Sequence, residues 1–227
     1  MNDFARRWLT FDCYGTLVDW RTGMERALAT IEPTKVAELL AGYHREEPHM
    51  QRAKPMVPYR EILRAGLMAS AAENLVQVEP EQEYALADTM ASWPVFPETP
   101  QVLRSLQGAG WKLGILSNVD NQVVTQTLQQ LGVDMDMVIT SEDVESYKPA
   151  LAHFKAFRDR ARPAEDGWVH VACSWAHDVQ PAQAMGVPAV FINRERVNHN
   201  PAEVVATLPD LHRLPDTAER HRWSSHT

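Results

Sequence analysis

Short apolar runs alternate with helical stretches along the second half of this chain, and that alternation restricts the fold more than any other feature. WKLGILSN, MVITS, WVHVACS and PAVFIN read as strands, the last as the final strand. NQVVTQTLQQLG, LAHFKAFRDRA and VQPAQAMG read as helices between them, with EDVESYKP as a loop. TPQVLRSLQGAG precedes the series as a further helix, closed by Gly108 and Gly110, which suit a left-handed cap. Successive β–α–β units built on short apolar strands predict a parallel sheet with helices on both faces. RWLTFD near the N-terminus adds one more strand, ending at Asp12.

Between residues 20 and 92 the signals are helical only. VAELLAGYHRE follows Glu32-Pro33-Thr34, PYREILRAGLMASAAENL starts at Pro58, and Pro80 opens PEQEYALADTMASW. Pro94, Pro97 and Pro100 then stiffen a connector and block a continuous helix. The chain therefore reads as one α/β unit interrupted, after its first strand, by an all-helical insert. The stretch from HRLPDTAERHRWSSHT onward lacks periodicity and is expected to be loosely ordered, with AERHRWSSHT a solvated end.

Composition narrows the partners. Of 227 residues, 44% are hydrophobic and 23% charged, as in ordinary globular proteins, so a disordered or fibrous chain is excluded. A net charge of −8 gives no general footprint for nucleic acid. No apolar run is long enough for a membrane span. Arg6 and Arg7 precede an apolar stretch, but Asp12 breaks it too early for the core of a signal peptide. Cys13 and Cys173 cannot staple a chain of this size, and a cytoplasmic location is expected. A monomer and a homodimer both fit an acidic chain of this kind.

In open α/β sheets the ligand lies beyond the carboxyl ends of the strands. The residues expected there are Asp12, Ser117 with Asn118, Lys148, and Asp178. Asp12 precedes Tyr14-Gly15-Thr16, where a sharp turn can aim backbone N–H groups at an anion. Its carboxylate can be a nucleophile or a loop cap. Ser117 and Asn118 can bind substrate oxygens, or Asn118 can cap the next helix. Lys148 stands at a helix start, a poor place for a cation unless an anion holds it. Asp178 also suits a structural cap.

In order and spacing, FDCYGTLVDW, ILSNVD, TSEDVESYKP and HVACSWAHDVQPAQAMGVPAVFINR resemble the four motifs of the haloacid dehalogenase (HAD) superfamily. The resemblance implies a Rossmann-like core at 1–16 and 95–227, a helical cap at 17–94, and Asp12 as nucleophile. HAD phosphatases carry a second Asp where this chain has Tyr14, and a Gly-Asp pair where it has Ala172-Cys173. A neutral thiol is a poor ligand for Mg²⁺, which prefers oxygen. Tyr14, Thr16 and Leu17 are what the type II 2-haloacid dehalogenase branch shows, which implies hydrolysis of a carbon–halogen bond with no metal and no cofactor.

On that resemblance Asp12 attacks C2 of a small carboxylate substrate and forms an ester. Lys148 keeps Asp12 ionised and pairs with the substrate carboxylate. Asp178 activates water. Cys13, Tyr14, Thr16, Ser117 and Asn118 belong to the substrate shell.

Three family positions differ. The cap Arg falls at His44, with Arg45 one residue on; the fourth-motif Asn falls at Trp175 or Ala176; a Tyr is replaced by Phe154. His44, Arg45 and Trp175 are therefore the leaving-group candidates. His177 reads as a proton carrier or a helix-terminus residue. Cys13 and Cys173 read as packed thiols or a redox pair. The rival readings are a Mg²⁺-dependent HAD phosphatase acting on a small metabolite and a non-catalytic protein that binds small anions.

Overall fold

A computed structural model describes residues 7–220. Its elements in chain order are β1 (Trp8–Phe11), α1 (Trp20–Ala29), α2 (Val36–Gln51), α3 (Tyr59–Glu73), α4 (Ala85–Thr89), α5 (Thr99–Gly108), β2 (Lys112–Ser117), α6 (Asn121–Leu131), β3 (Met137–Thr140), α7 (Ser141–Val144), α8 (Ala152–Ala161), β4 (Trp168–Ala172), α9 (Gln180–Ala184), β5 (Ala189–Ile192), β6 (Ala206–Leu208) and α10 (Leu214–Arg220). The strands form one parallel sheet in the order β3-β2-β1-β4-β5-β6. This is the expected α/β, Rossmann-like core, with helices on both faces.

β1 lies at the centre of the sheet and all four of its residues are buried. Strands covered on both faces read as unbroken apolar runs, which is why WLTF and GILS carry no polar alternation. Phe11 is in register with Ile115 on one side and Val171 on the other, so three strands end at one edge. Asp12, Ser117 and Cys173 are brought together there.

The helical stretch leaves and rejoins the sheet through one short stem. Val18 bridges Val95 in antiparallel fashion, Asp19 N–H donates to the Pro94 carbonyl at 2.8 Å, and Phe96 N–H donates to the Leu17 carbonyl at 3.0 Å. Within it α2 and α3 pack closely because Gly66 has no side chain. A Cβ there would come within 2.7 Å of the Tyr43 ring. The loop after Pro55 and the start of α3 then reach back to the core. Tyr147 Oη donates to the Val57 carbonyl at 2.6 Å, and the N–H groups of Tyr59 and Arg60 donate to the Asp120 carboxylate at 2.9 and 2.8 Å.

Five elements differ from the sequence reading. PEQEYALADTMASW is not one helix, because 3-10 turns at Pro80–Gln82 and Met90–Ser92 flank the short α4. PAVFIN is not the last strand, because β6 pairs beyond it. EDVESYKP contains the short helix α7, held by a reciprocal cap between Thr140 and Asp143. α1 is a separate helix whose signal was Asp19, which accepts Thr22 N–H at 3.1 Å. The tail forms α10, which buries Leu214, Thr217 and Ala218 at helical spacing. The remainder of AERHRWSSHT lies outside the described residues, as do Met1–Arg6.

Candidate active site

The nucleophile candidate sits in a turn that only glycine completes. Gly15 has φ +98°, and a Cβ there would strike Cys173 Sγ at 2.6 Å. The turn folds Thr16 back so that its hydroxyl donates to Asp12 Oδ2 at 2.9 Å, while Thr16 Oγ1 accepts Cys173 N–H at 2.9 Å. Thr16 is therefore a fully buried orienting residue and does not reach the cavity. Asp12 is 8% exposed, enough to meet a ligand.

Lys148 is buried and its ammonium is saturated. Nζ donates to Asp12 Oδ1 at 3.0 Å, to the Leu116 carbonyl at 2.8 Å and to Asp178 Oδ1 at 2.5 Å. An ammonium has three donors. Lys148 thus holds the two carboxylates, and the expected pairing with a substrate carboxylate has no donor left to make it. Asn118 clamps the Lys148 backbone, receiving its N–H at 2.7 Å and donating to its carbonyl at 3.0 Å. Asn118 lines the cavity, but its amide is engaged in positioning.

The one cation is divided unequally. Burial raises Asp12 above the ordinary carboxylate range, and Lys148 and the hydroxyl of Thr16 oppose it only in part. Burial acts against Asp178 too, but Lys148 and His170 overcome it and hold that carboxyl at about 2. Asp178 has the shorter lysine contact and a second donor.

That second donor escaped the sequence reading. His170, in the middle of β4 and fully buried, places Nε2 3.0 Å from Asp178 Oδ1 and Nδ1 2.9 Å from Thr10 Oγ1. Trp168 Nε1 donates to the same Thr10 hydroxyl at 2.8 Å, and Phe154 packs edge-on to the imidazole with ring centroids 4.9 Å apart. The chain Trp168–Thr10–His170 fixes Asp178 and leaves its Oδ2 outside the network. Replacing His170 with Phe strands Asp178 and Thr10, at an expected cost of about 1–3 kcal/mol in stability. The denaturant midpoint reads this loss. A fall in kcat at unchanged KM identifies the loss of positioning; a rise in KM alone would contradict it.

The thiols divide. Cys13 is fully buried in the core and its side chain does not line the cavity, which removes it from the substrate shell as a side-chain contact. Cys173 does line the cavity, with Sγ 4.0 Å from Asp12 Oδ2. Both are free thiols. Burial, then the Asp12 charge, pushes both well above the ordinary thiol value, so both stay neutral.

Tyr14, Ser117 and His177 also line the cavity. Tyr14 Oη and Thr127 Oγ1 share a hydrogen bond at 2.7 Å. Burial holds the phenol well above its ordinary value, so it remains protonated. His177 Nδ1 lies 3.2 Å from Ser174 Oγ, which also caps the π-helical turn Trp175–Val179.

Of the leaving-group candidates, the structure brings only His44 to the cavity. Its ring lies edge-on to Trp20 at 4.9 Å, and burial lowers its pKa, so it is neutral at pH 7. Arg45 faces outward in an exposed ion pair with Glu73 at 2.5 Å. Trp175 packs on Phe191 at 5.2 Å and His199 at 5.3 Å, away from the cavity wall.

A cation the sequence reading did not weigh does line the cavity. Arg194 stacks its guanidinium 3.6 Å above the Phe96 ring, and its Nη2 donates to Glu98 at 2.8 Å and to the Thr16 carbonyl at 3.0 Å. Its Nη1 is engaged by no described residue. The signal was the Arg that closes FINR.

Mg²⁺ does not fit these residues. Asp12 and Asp178 share Lys148, and the third position facing Asp12 holds a neutral thiol where an oxygen ligand is required.

The family model of haloacid dehalogenase-like hydrolases matches residues 7–186. An (S)-2-haloacid dehalogenase of Pseudomonas putida is 23% identical over 216 residues, covering 89% of this chain and 93% of the relative. (S)-2-haloacid dehalogenase 1 of Pseudomonas sp. (strain CBS-3) is 27% identical over 218 residues, covering 92% of each. The structure of the L-2-haloacid dehalogenase from Xanthobacter autotrophicus superposes with a TM-score of 0.81 at 16% identity, covering 95% of this chain and 99% of that one, a likeness of fold. With a matched stretch that runs from the first strand into the fourth motif and covers well over half of the sequence, the chain belongs to the haloacid dehalogenase-like hydrolases.

Proposed function

We propose that this hydrolase acts without metal and displaces halide from C2 of a small 2-haloacid through an ester on Asp12. The observation that carries the reading is the environment of Asp12. Thr16 and Lys148 orient one lone pair on each oxygen, and a neutral thiol and a neutral phenol stand where phosphatase chemistry needs acids. In this reading residues 17–94 act as a cap over a core of 1–16 and 95–227.

Asp12 attacks C2 from the side opposite the halogen; the new C–O bond forms as the carbon–halogen bond breaks and halide departs. Asp178 Oδ2 then takes a proton from water as the water oxygen adds to Cγ of Asp12. Collapse expels the 2-hydroxyacid oxygen, which takes up a proton, and the Asp12 carboxylate is restored. C2 inverts because only the first step touches it. The Ser117 hydroxyl, backbone N–H groups of the Tyr14 turn and the Nη1 of Arg194 serve the substrate carboxylate.

A glyceraldehyde 3-phosphate phosphatase of Methanothermobacter thermautotrophicus is 29% identical over 102 residues, but covers 44% of this chain. Chelation separates the two chemistries. Halide release from 2-chloropropionate is expected to be undiminished after exhaustive EDTA treatment. Strict Mg²⁺ dependence, or phosphate release in place of halide, overturns the proposal.

A further inference from the structure

The cavity has a second polar wall that halide displacement does not use, and we propose that it is a subsite for a protonated amine at the end of the substrate remote from the reacting carbon. The assignment of ends rests on the reading of Asp12 as the nucleophile. Glu47 on α2 is the counter-charge. Its Oε1 accepts Tyr59 Oη at 2.9 Å and Gln51 Nε2 at 3.1 Å. For its Oε2 the nearest basic group is His44 Nδ1 at 4.0 Å, beyond hydrogen-bond reach. A carboxylate offers about four acceptor sites, so roughly half of this one stays open in the cavity wall.

Among the described residues no neighbouring cation answers it. Arg21 is paired with Glu195 at 2.8 Å, Arg194 with Glu98 at 2.8 Å, and Lys148 is saturated between Asp12 and Asp178. An apolar or anionic tail would strip water from Glu47 and return nothing. An ammonium supplies both the charge and the donors, and Tyr59 and Trp20, which line the same cavity, offer aromatic rings to it.

Size points the same way. The cavity holds about 510 Å³. That is within the range that takes drug-sized ligands, whereas a 2-halopropionate has only about six non-hydrogen atoms. The class of substrate that fits both walls is a 2-haloacid with a terminal ammonium several bonds from C2.

Calorimetric titration of the whole protein with 6-aminohexanoate, hexanoate and 6-hydroxyhexanoate tests the subsite without turnover, since none carries a leaving group. The amino acid is expected to bind at least about tenfold more tightly than hexanoate. In Glu47→Gln that preference should vanish while hexanoate affinity is kept, which also shows the variant folded; Tyr59→Phe should retain part of it. Equal affinity for the amino and hydroxy acids overturns the ammonium assignment. So does a preference that survives in Glu47→Gln, or an absence of binding by all three. Halide release from 6-amino-2-chlorohexanoate is measured separately. Amine-selective binding with no halide released would leave the subsite standing and refute the haloacid reading.

Discussion

A single turnover in ¹⁸O-water is expected to put the label into the Asp12 carboxylate and leave the product hydroxyl unlabelled. Water adds to Cγ of the ester, so its oxygen stays with the protein, while the product departs with an oxygen that belonged to Asp12. Peptide mass spectrometry of the Asp12 region reads the outcome. Label in the product on the first turnover would mean direct attack of water on C2 and would end the covalent mechanism. Asp12→Asn should remain folded, since an amide oxygen still accepts from Thr16 or Lys148. Its turnover should fall by at least about 10⁴-fold, because loss of a nucleophile disables the residues that act with it.

The second large effect is on Lys148. Replacing it with Met leaves two buried carboxylates and the Leu116 carbonyl without their shared donor. Breaking a buried pair from one side costs about 3–5 kcal/mol. The loss should depend on pH in a set direction. Asp178 is held at about 2, below its ordinary 3.8, so its contribution to stability is complete above 3.8 and drains as pH falls through about 2. The variant lacks the cation that lowers it and is relieved when its carboxylates take up protons. The stability gap between wild type and Lys148→Met should therefore be widest at neutral pH and narrow on acidification, in urea midpoints. A gap that stays constant or widens toward acid would show that Lys148 does not stabilise this pair.

What the sequence disclosed depended on whether a residue's role is set by its place on a strand end or by its neighbours in space. Asp12, Ser117, Lys148 and Asp178 follow apolar runs, and the edge rule for parallel sheets sends them to one site. The saturation of Lys148 was not legible, because its acceptors come from segments 136, 32 and 30 residues away. His170 was hidden for a different reason. In a strand buried on both faces no alternation marks which side chain meets a partner, so nothing in WVHVA shows that its lone His faces Asp178. Arg45 and His44 illustrate helix register, since one residue is about 100° of rotation. The imidazole therefore meets Trp20 while the guanidinium meets Glu73. β6 has three residues, too few to show a period.

The stem formed by residues 17–19 and 94–96 has consequences for how such an enzyme changes over time. Because the chain departs and returns at hydrogen-bonded neighbours, the helical stretch is a parenthesis: it can be lengthened, exchanged or rewritten without altering the path of any sheet strand. The groups that bond Asp12 all belong to the sheet side of that parenthesis, whereas Glu47, His44 and Tyr59 belong inside it. Substitutions inside the parenthesis thus leave the hydrogen bonds to Asp12 in place, whereas substitutions in the sheet segment reach them directly.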